Sequence, residues 1–443
     1  MTAPSSSGAV DVEHHRERLQ AVRTRTLALV SGLDATTLRK QLIPILSPMV
    51  WDLGHIANYE ETWIAQEVLE RPPVSQAFQE MFDPVRNPRP VREALPLPER
   101  DGLLGYLARV RERTEEALSS LGDLSPRRLL DDGFVFHLIA EHEEQHQETL
   151  LQAMQLLEDP PYAPPERRSL PPGSSVEPEM IRVPTGRFSM GRSATQGFSY
   201  DNEKPQHEIE VGEFEIDRFP TTNRQFLEFV EDGGYRREEL WSAEGWEWLG
   251  EFRFKGERIA APQNWYRDGD AWYVRYADKV EPASNNRPVI HIGYFEAEAF
   301  ARWAGKRLPT ESEWERAALS TPEGEHRVFP WGDERPTVDR ANLDQLAFAP
   351  AEIGAYPRGA SAWGVEQMIG DVWEWTSTDF RGYPGFEAFP YAEYSEIFFG
   401  DEYKVLRGGS WATRPHVARG TFRNWDFPIR RQIFAGVRCA RGG

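Results

Sequence analysis

The sequence predicts an α+β protein of two domains, a helical bundle followed by a mixed, turn-rich domain. Three observations predict it. Residues 13–158 carry apolar positions at helical spacing, a proline-rich run over 159–173 interrupts that pattern, and beyond it short apolar stretches alternate with glycines and tryptophans. At 443 residues the chain also exceeds what one hydrophobic core usually organises.

Residues 1–12 are rich in Ser, Ala and Gly and read as a disordered tail. Over 15–33, Leu19, Val22, Thr26 and Leu29 recur on one helix face and give a first helix. Ser47 followed by Pro48 reads as an N-cap and a first-turn proline, opening a second helix over about 48–69. Residues 70–101 are broken by prolines and read as a long loop. Residues 102–121, with Leu103, Tyr106, Val110 and Ala117 inward, form a third helix and 128–158 a fourth. Four helices of this length predict a four-helix bundle. Residues 159–177 form the linker and 178–443 the second domain, with strand-like segments at 183–191 and His207–Val211 and helices at 222–230 and 294–304.

The formal charge of −20 argues against nucleic acid or an anionic membrane as partner, because both select a basic surface. One cysteine, Cys439, leaves no intrachain disulfide framework and fits a cytoplasmic protein. There is neither a signal-peptide pattern nor an apolar run long enough to span a bilayer. A monomer is favoured.

Chemistry concentrates in Phe136-His137-Leu138-Ile139-Ala140-Glu141-His142-Glu143-Glu144-Gln145-His146-Gln147-Glu148. His142 and His146 are four apart and share a helix face with Val135, Leu138, Gln145, Thr149 and Ala153, so both imidazoles point inward. Such a pair can share one divalent ion, zinc or iron. Glu148 is rotated roughly 200° from His146 and falls outside that set, at most supporting it from behind. The third ligand comes from another helix, in Trp51-Asp52-Leu53-Gly54-His55, which places His55 about two turns inside. His14 and His15 lie in the polar N-terminal stretch and His137 is off the face, so the predicted metal site is His55, His142 and His146.

Four phrases of the second half closely resemble the formylglycine-generating-enzyme family, a variant of the C-type-lectin-like fold. They are Arg307-Leu308-Pro309-Thr310-Glu311-Ser312-Glu313-Trp314-Glu315, Phe329-Pro330-Trp331-Gly332, Gly370-Asp371-Val372-Trp373-Glu374-Trp375 and Arg407-Gly408-Gly409-Ser410-Trp411. That family works with a copper-holding cysteine pair, which a single cysteine excludes. The histidine-bearing half is similar to the DinB-like bundle. Both domains in this order, with both histidine motifs, resemble the ergothioneine-biosynthetic sulfoxide synthases over nearly the whole chain. The resemblance implies Fe(II) on three histidines and O2 as co-substrate. The reaction it implies joins the sulfur of γ-glutamylcysteine to the imidazole carbon between the two nitrogens of hercynine, the trimethylated histidine, and leaves a sulfoxide.

The resemblance also implies roles for residues outside the metal site. Tyr391 matches the catalytic tyrosine of the mycobacterial members, and a weak acid suits proton donation during O2 reduction; the role of Tyr394 stays open. Arg86 and Arg89 match the arginine pair that binds the γ-glutamylcysteine carboxylates, with Arg92 outside the pair. Prolines 88 and 90 favour polyproline II there, whose three-residue turn puts both guanidinium groups on one side. Asp426 and Arg430 are expected to hold a substrate ammonium and carboxylate, or to pair with each other. Trp425 offers a face to a quaternary ammonium. Asn424 and Gln145 are expected to fix hercynine's carboxylate and imidazole. Phe427, where mycobacterial members carry histidine, and Met81, where a smaller residue is expected, leave cysteine or a selenosugar open as the acceptor partner. A zinc-dependent DinB-type thiol transferase and a non-catalytic binding protein are the readings from other classes.

Overall fold

Asp11 accepts a hydrogen bond from the His14 backbone N–H and so caps a helix, α1 (Val12–Val30). The computed structural model describes residues 10–125, 127–158, 168–174, 179–193, 195–254 and 256–442, in two units, Met1–Ala163 and Pro164–Gly443. Residues 1–9 of the expected tail lie outside the described residues, whereas Asp11 and Val12 are already ordered into α1. His15 is likewise no tail residue. It is buried with its ring 5.3 Å from Phe136 and 4.7 Å from His137, and burial pushes its pKa down to about 4.

The first unit continues with α2 (Ala35–Arg39), α3 (Met49–Glu61), α4 (Gln76–Met81), α5 (Arg100–Ser119) and α6 (Phe134–Met154). The long helices α1, α3, α5 and α6 pack together, α1 on α6 and α3 on both α5 and α6. Leu19, Val22 and Leu29, Leu53 and Ile56, Leu103, Leu107 and Val110, and Leu138 and Leu150 fill the space between them. Two details differ from expectation. Helix α3 begins at Met49 behind Pro48, and the Ser47 hydroxyl accepts from Arg92 Nη1 instead of capping the helix. The stretch read as one loop over 70–101 contains α4, capped by Ser75, and a 3₁₀ turn at Arg89–Ala94. Helix α3 runs on as π-helical turns through Thr62–Val68, and α6 starts only after Asp132 and Gly133 take φ of 49° and 71°.

The second unit is built on short strands. A three-stranded sheet joins β1 (Met180–Val183), β4 (Phe214–Asp217) and β14 (Ala440–Gly442), while β2 (Gly186–Met190) pairs with β3 (His207–Val211). Two further antiparallel groups follow, β5 (Arg253–Phe254) with β6 (Glu257–Arg258), and β7 (Trp265–Asp268), β8 (Ala271–Tyr276) and β9 (Lys279–Pro282). The last sheet has the order β12 (Asn424–Asp426), β11 (Lys404–Arg407), β10 (Trp373–Asp379), β13 (Ala435–Gly436). Its β10–β11 and β11–β12 pairs are antiparallel and its β10–β13 pair parallel. Helices α7 (Asn223–Glu231), α8 (Ala243–Glu251), α9 (Tyr294–Trp303) and α10 (Glu311–Leu319) complete it, of which α8 and α10 were not anticipated.

The four sequence phrases form this unit's interior. Arg407 donates to Glu311 and Glu315, Arg423 to Glu311, and Arg438 and the Trp314 indole to Glu374, all buried. Gly408 has φ 96°, and a Cβ there would lie 2.5 Å from the Met368 carbonyl. Part of the expected linker belongs here too: Arg168 N donates to the Leu346 carbonyl and Ser174 N to that of Ile353, while Leu170 packs on Ala351, Ala355 and Tyr356. The rest of that linker, 159–167 and 175–178, falls outside the described residues.

Candidate functional site

In the first unit His55 of α3 and His142 and His146 of α6 converge. One ring nitrogen from each lies within 4.8 Å of the others. The His55 ring centroid is 5.1 Å from each of the other two, which are 4.6 Å apart. What turns α6 so that these histidines face α3 is its other face. Glu143 takes bonds from Arg23 at 2.8 Å and Arg111 at 3.2 Å, Glu144 from Arg18 at 2.8 Å, and Gln147 reaches the Val22 carbonyl at 3.0 Å. The charged residues between the two histidines are therefore anchors for the helix. Sequence reasoning missed them because a charged helix face is ordinarily solvated.

Two of the three imidazoles are held by neighbours. His55 Nδ1 donates to the Phe82 carbonyl at 3.0 Å, which leaves Nε2 as its free donor atom. Gly54 permits this approach, since a Cβ there would meet the Phe82 ring at 2.2 Å. Trp51 stacks on His55 at 5.0 Å and Tyr59 on His142 at 3.7 Å, with interplanar angles of 17° and 10°. Burial pushes His55 down to about 4, and burial with the neighbouring rings drives His142 and His146 well below the usual histidine range. All three are thus neutral free bases near pH 7, the form that ligates metals. The Nδ1 atoms of His142 and His146 are buried without a hydrogen-bond partner, and Asp52 Oδ1 stands 3.8 Å from the latter. Three convergent neutral donors, two of them with an unpartnered buried nitrogen, fit a divalent cation. Glu148 is buried but does not belong to the converging set.

Of the remaining first-unit candidates, Gln145 is half-buried on α6 with Nε2 donating to the Glu141 carbonyl at 3.3 Å. Arg86 pairs with Glu80 at 2.9 Å, both half-exposed, and Arg89 is exposed. Polyproline geometry is confined to Pro88, with φ −63° and ψ 156°, and does not run through both arginines. The Asp83 carboxylate captures the N–H groups of Val85 and Arg86, folding a turn that runs into the 3₁₀ segment at Arg89. Arg92, thought to lie outside the pair, is buried over the Trp51 ring at 3.4 Å.

The second unit gathers its candidates along β12 and the turn before β11. Tyr391 precedes a 3₁₀ turn at Ala392–Tyr394, and its ring lies 6.4 Å from that of Tyr394. Tyr394 stacks on Tyr200 at 4.3 Å and meets Trp425 edge-on at 5.7 Å. Phe380 stacks on Trp425 at 4.2 Å and 6°, so one indole face is covered. Asn424 Oδ1 accepts from the Trp425 N–H. Asp426 and the buried Arg430 form an ion pair at 3.4 Å. The loop bearing Tyr391 is pinned by Asp201, which accepts from Ser395 Oγ at 2.5 Å and from Phe389 N at 3.2 Å. These contacts span nearly two hundred positions of sequence, and no local pattern signals them. Cys439 is fully buried, and burial pushes its thiol pKa up.

Comparison with known proteins covers both units. The DinB superfamily matches residues 18–150 and the sulfatase-modifying factor enzyme 1-like domain matches 167–442. The hercynine oxygenase of Mycolicibacterium smegmatis is 43% identical over 433 residues, covering 96% of this chain and 97% of its own. That of Mycobacterium tuberculosis is 43% identical over 426 residues, covering 95% and 97%. The formylglycine-generating enzyme of Streptomyces coelicolor is 31% identical over 319 residues, covering 63% of this chain and 95% of its own. Among the described residues no helix is long and apolar enough to cross a membrane. Aligned almost end to end with such relatives, and carrying both domains, the chain is an oxygenase and belongs to the hercynine oxygenase family, the ergothioneine-biosynthetic sulfoxide synthases.

Proposed function

We propose that this oxygenase is a non-haem iron(II)- and O2-dependent sulfoxide synthase that joins the thiol of γ-glutamylcysteine to the imidazole of hercynine. The observation that carries this reading is the convergence of His55, His142 and His146 as neutral bases. The nearly full-length relatives named hercynine oxygenase support hercynine as the substrate. In the reaction an imidazole C–H and a thiol S–H give way to a C–S bond. One oxygen atom of O2 ends on sulfur and the other leaves as water with the two hydrogens.

Iron, when bound, supplies O2 activation and a site for the thiolate sulfur. The three imidazoles contribute no negative charge, so the site favours an anionic ligand such as a thiolate. Arg86 and Arg89 bind the carboxylates of γ-glutamylcysteine, each charge-assisted bond contributing roughly 1.5–3 kcal/mol. Asp426 and Arg430 present opposite charges 3.4 Å apart, a match for an amino-acid ammonium and carboxylate. Trp425 gives the face away from Phe380 to the trimethylammonium group, worth up to ~2 kcal/mol when desolvated. Asn424 orients hercynine, and the Tyr391 hydroxyl holds the proton delivered as O2 is reduced.

The test supplies anaerobically Fe(II)-loaded protein with hercynine and either γ-glutamylcysteine or cysteine, admits O2, and reads products by mass spectrometry. A sulfoxide-linked adduct formed faster from γ-glutamylcysteine is the expected result. Preference for cysteine, or a product only with a selenosugar, moves the acceptor assignment. O2-independent transfer by the zinc-loaded protein overturns the reaction itself.

A further inference from the structure

The segment 83–94, which carries Arg86 and Arg89, is tied to a metal-site histidine by one column of stacked side chains. Arg92 is 6% exposed and holds its guanidinium 3.4 Å above Trp51, which in turn stacks on His55. Every level is pinned. Arg92 Nη1 donates to Ser47 Oγ at 2.6 Å and Nε to the Asn87 carbonyl at 2.8 Å. Trp51 Nε1 donates to the Met81 carbonyl and His55 Nδ1 to that of Phe82, both at 3.0 Å. Asn87 Nδ2 ties the segment back to the end of α4 through the Glu80 and Met81 carbonyls. The Phe82 carbonyl that fixes the His55 ring thus immediately precedes the segment whose far end clamps Trp51.

Arg92 is a costly choice for a space filler. Its hydrogen bonds go to a hydroxyl and a carbonyl, and among the described residues it has no ion-pair partner. The carboxylate of buried Asp52 offsets its charge only from beyond ion-pair distance, and burial with the Arg89 charge still pushes the Arg92 pKa down to about 9, whereas leucine or methionine would fill the volume without that penalty. What neither they nor lysine can do is hold a planar cation 3.4 Å over an indole while donating from both Nε and Nη1.

We infer that Arg92 is a positioning residue that couples the metal site to segment 83–94. Metal on His55 fixes the column and orders the segment, and an ordered segment favours the His55 rotamer that binds metal. The two effects are reciprocal by linkage. The inference rests on the histidine triad holding a metal ion and on nothing in the oxidation chemistry.

Hydrogen exchange read by mass spectrometry tests it, on the full chain with and without saturating Co(II). In the wild type, Co(II) slows exchange over 83–94 by about tenfold, a coupling of ordinary size. In Arg92→Met, Co(II) still protects α6 but 83–94 exchanges at its metal-free rate, and Co(II) affinity falls about tenfold. A variant that merely loosened the bundle would lose protection on α6 as well. Arg92→Lys keeps the charge without the planar fork and gives the same loss should the methionine variant not fold. Equal exchange over 83–94 with and without Co(II) in the wild type overturns the inference, as does equal protection in both variants. Absence of Co(II) uptake by the wild type defeats the metal reading and this coupling together, whereas uptake without protection defeats the coupling alone.

Discussion

Gly54, His55 and Phe82 show how one backbone contact organises chemistry. The missing Cβ lets the Phe82 ring close over α3, and its carbonyl then selects the His55 tautomer that exposes Nε2. The histidines that spacing singles out are the three that converge, because a four-residue interval and a helix start constrain side-chain direction directly. The carbonyl partner leaves no trace in sequence, since every residue carries one. Tyr391 belongs to this scale as well. We predict that Tyr391→Phe retains metal and both substrates at wild-type affinity, measured by calorimetry, while sulfoxide yield drops by about 10²-fold or more, the usual worth of a positioned proton donor. Unchanged sulfoxide yield removes Tyr391 from the mechanism.

The bundle helices are locked to one another by buried charge. Glu60 of α3 accepts from Arg111 of α5 at 2.7 Å and from Arg23 of α1 at 2.7 Å, and both arginines also reach Glu143 of α6. Burial alone would raise the Glu60 pKa, but Arg111 and Arg23 outweigh it and hold the carboxyl down at about 2. A depressed carboxyl stabilises the fold above its unfolded value near 4.5, and that contribution disappears as pH falls towards 2. We predict a loss of about 3 kcal/mol from this group across that window. Denaturant unfolding followed between pH 5 and 3 checks it: wild type falls steeply, and Glu60→Gln, already destabilised at pH 6, falls less. Parallel curves would contradict the assignment. Helix existence was legible from periodicity, whereas this network was not, because Arg18, Arg23 and Arg111 look like ordinary solvated helix charges. The segment carrying Arg86 misled for the opposite reason: Asp83 side-chain capture folds a turn ahead of Pro88, and a 3₁₀ turn begins right after it, so Pro88 alone keeps the extended conformation.

At the scale of the molecule, each unit carries its own interior, one built on four long helices and the other on short strands bound by buried arginine–glutamate pairs. The change of texture along the chain makes the α+β class readable, because helical period and strand-and-turn punctuation cannot be confused over such lengths. Two helices of the second unit escaped notice. Helix α10 opens with a Thr310–Glu313 capping box inside a phrase dense in charge, and α8 spans nine residues rich in tryptophan and glycine.

In the function we propose, the histidine triad holds iron that couples O2 reduction to joining thiol and imidazole. The most direct measurement is O2 uptake by the Fe(II)-loaded full chain with hercynine and γ-glutamylcysteine, beside His142→Ala and the zinc-loaded protein. We predict one O2 consumed per sulfoxide formed in the iron-loaded wild type and uptake at background in both controls. Undiminished uptake in His142→Ala, or product formed by the iron-loaded wild type without O2 consumption, would contradict it.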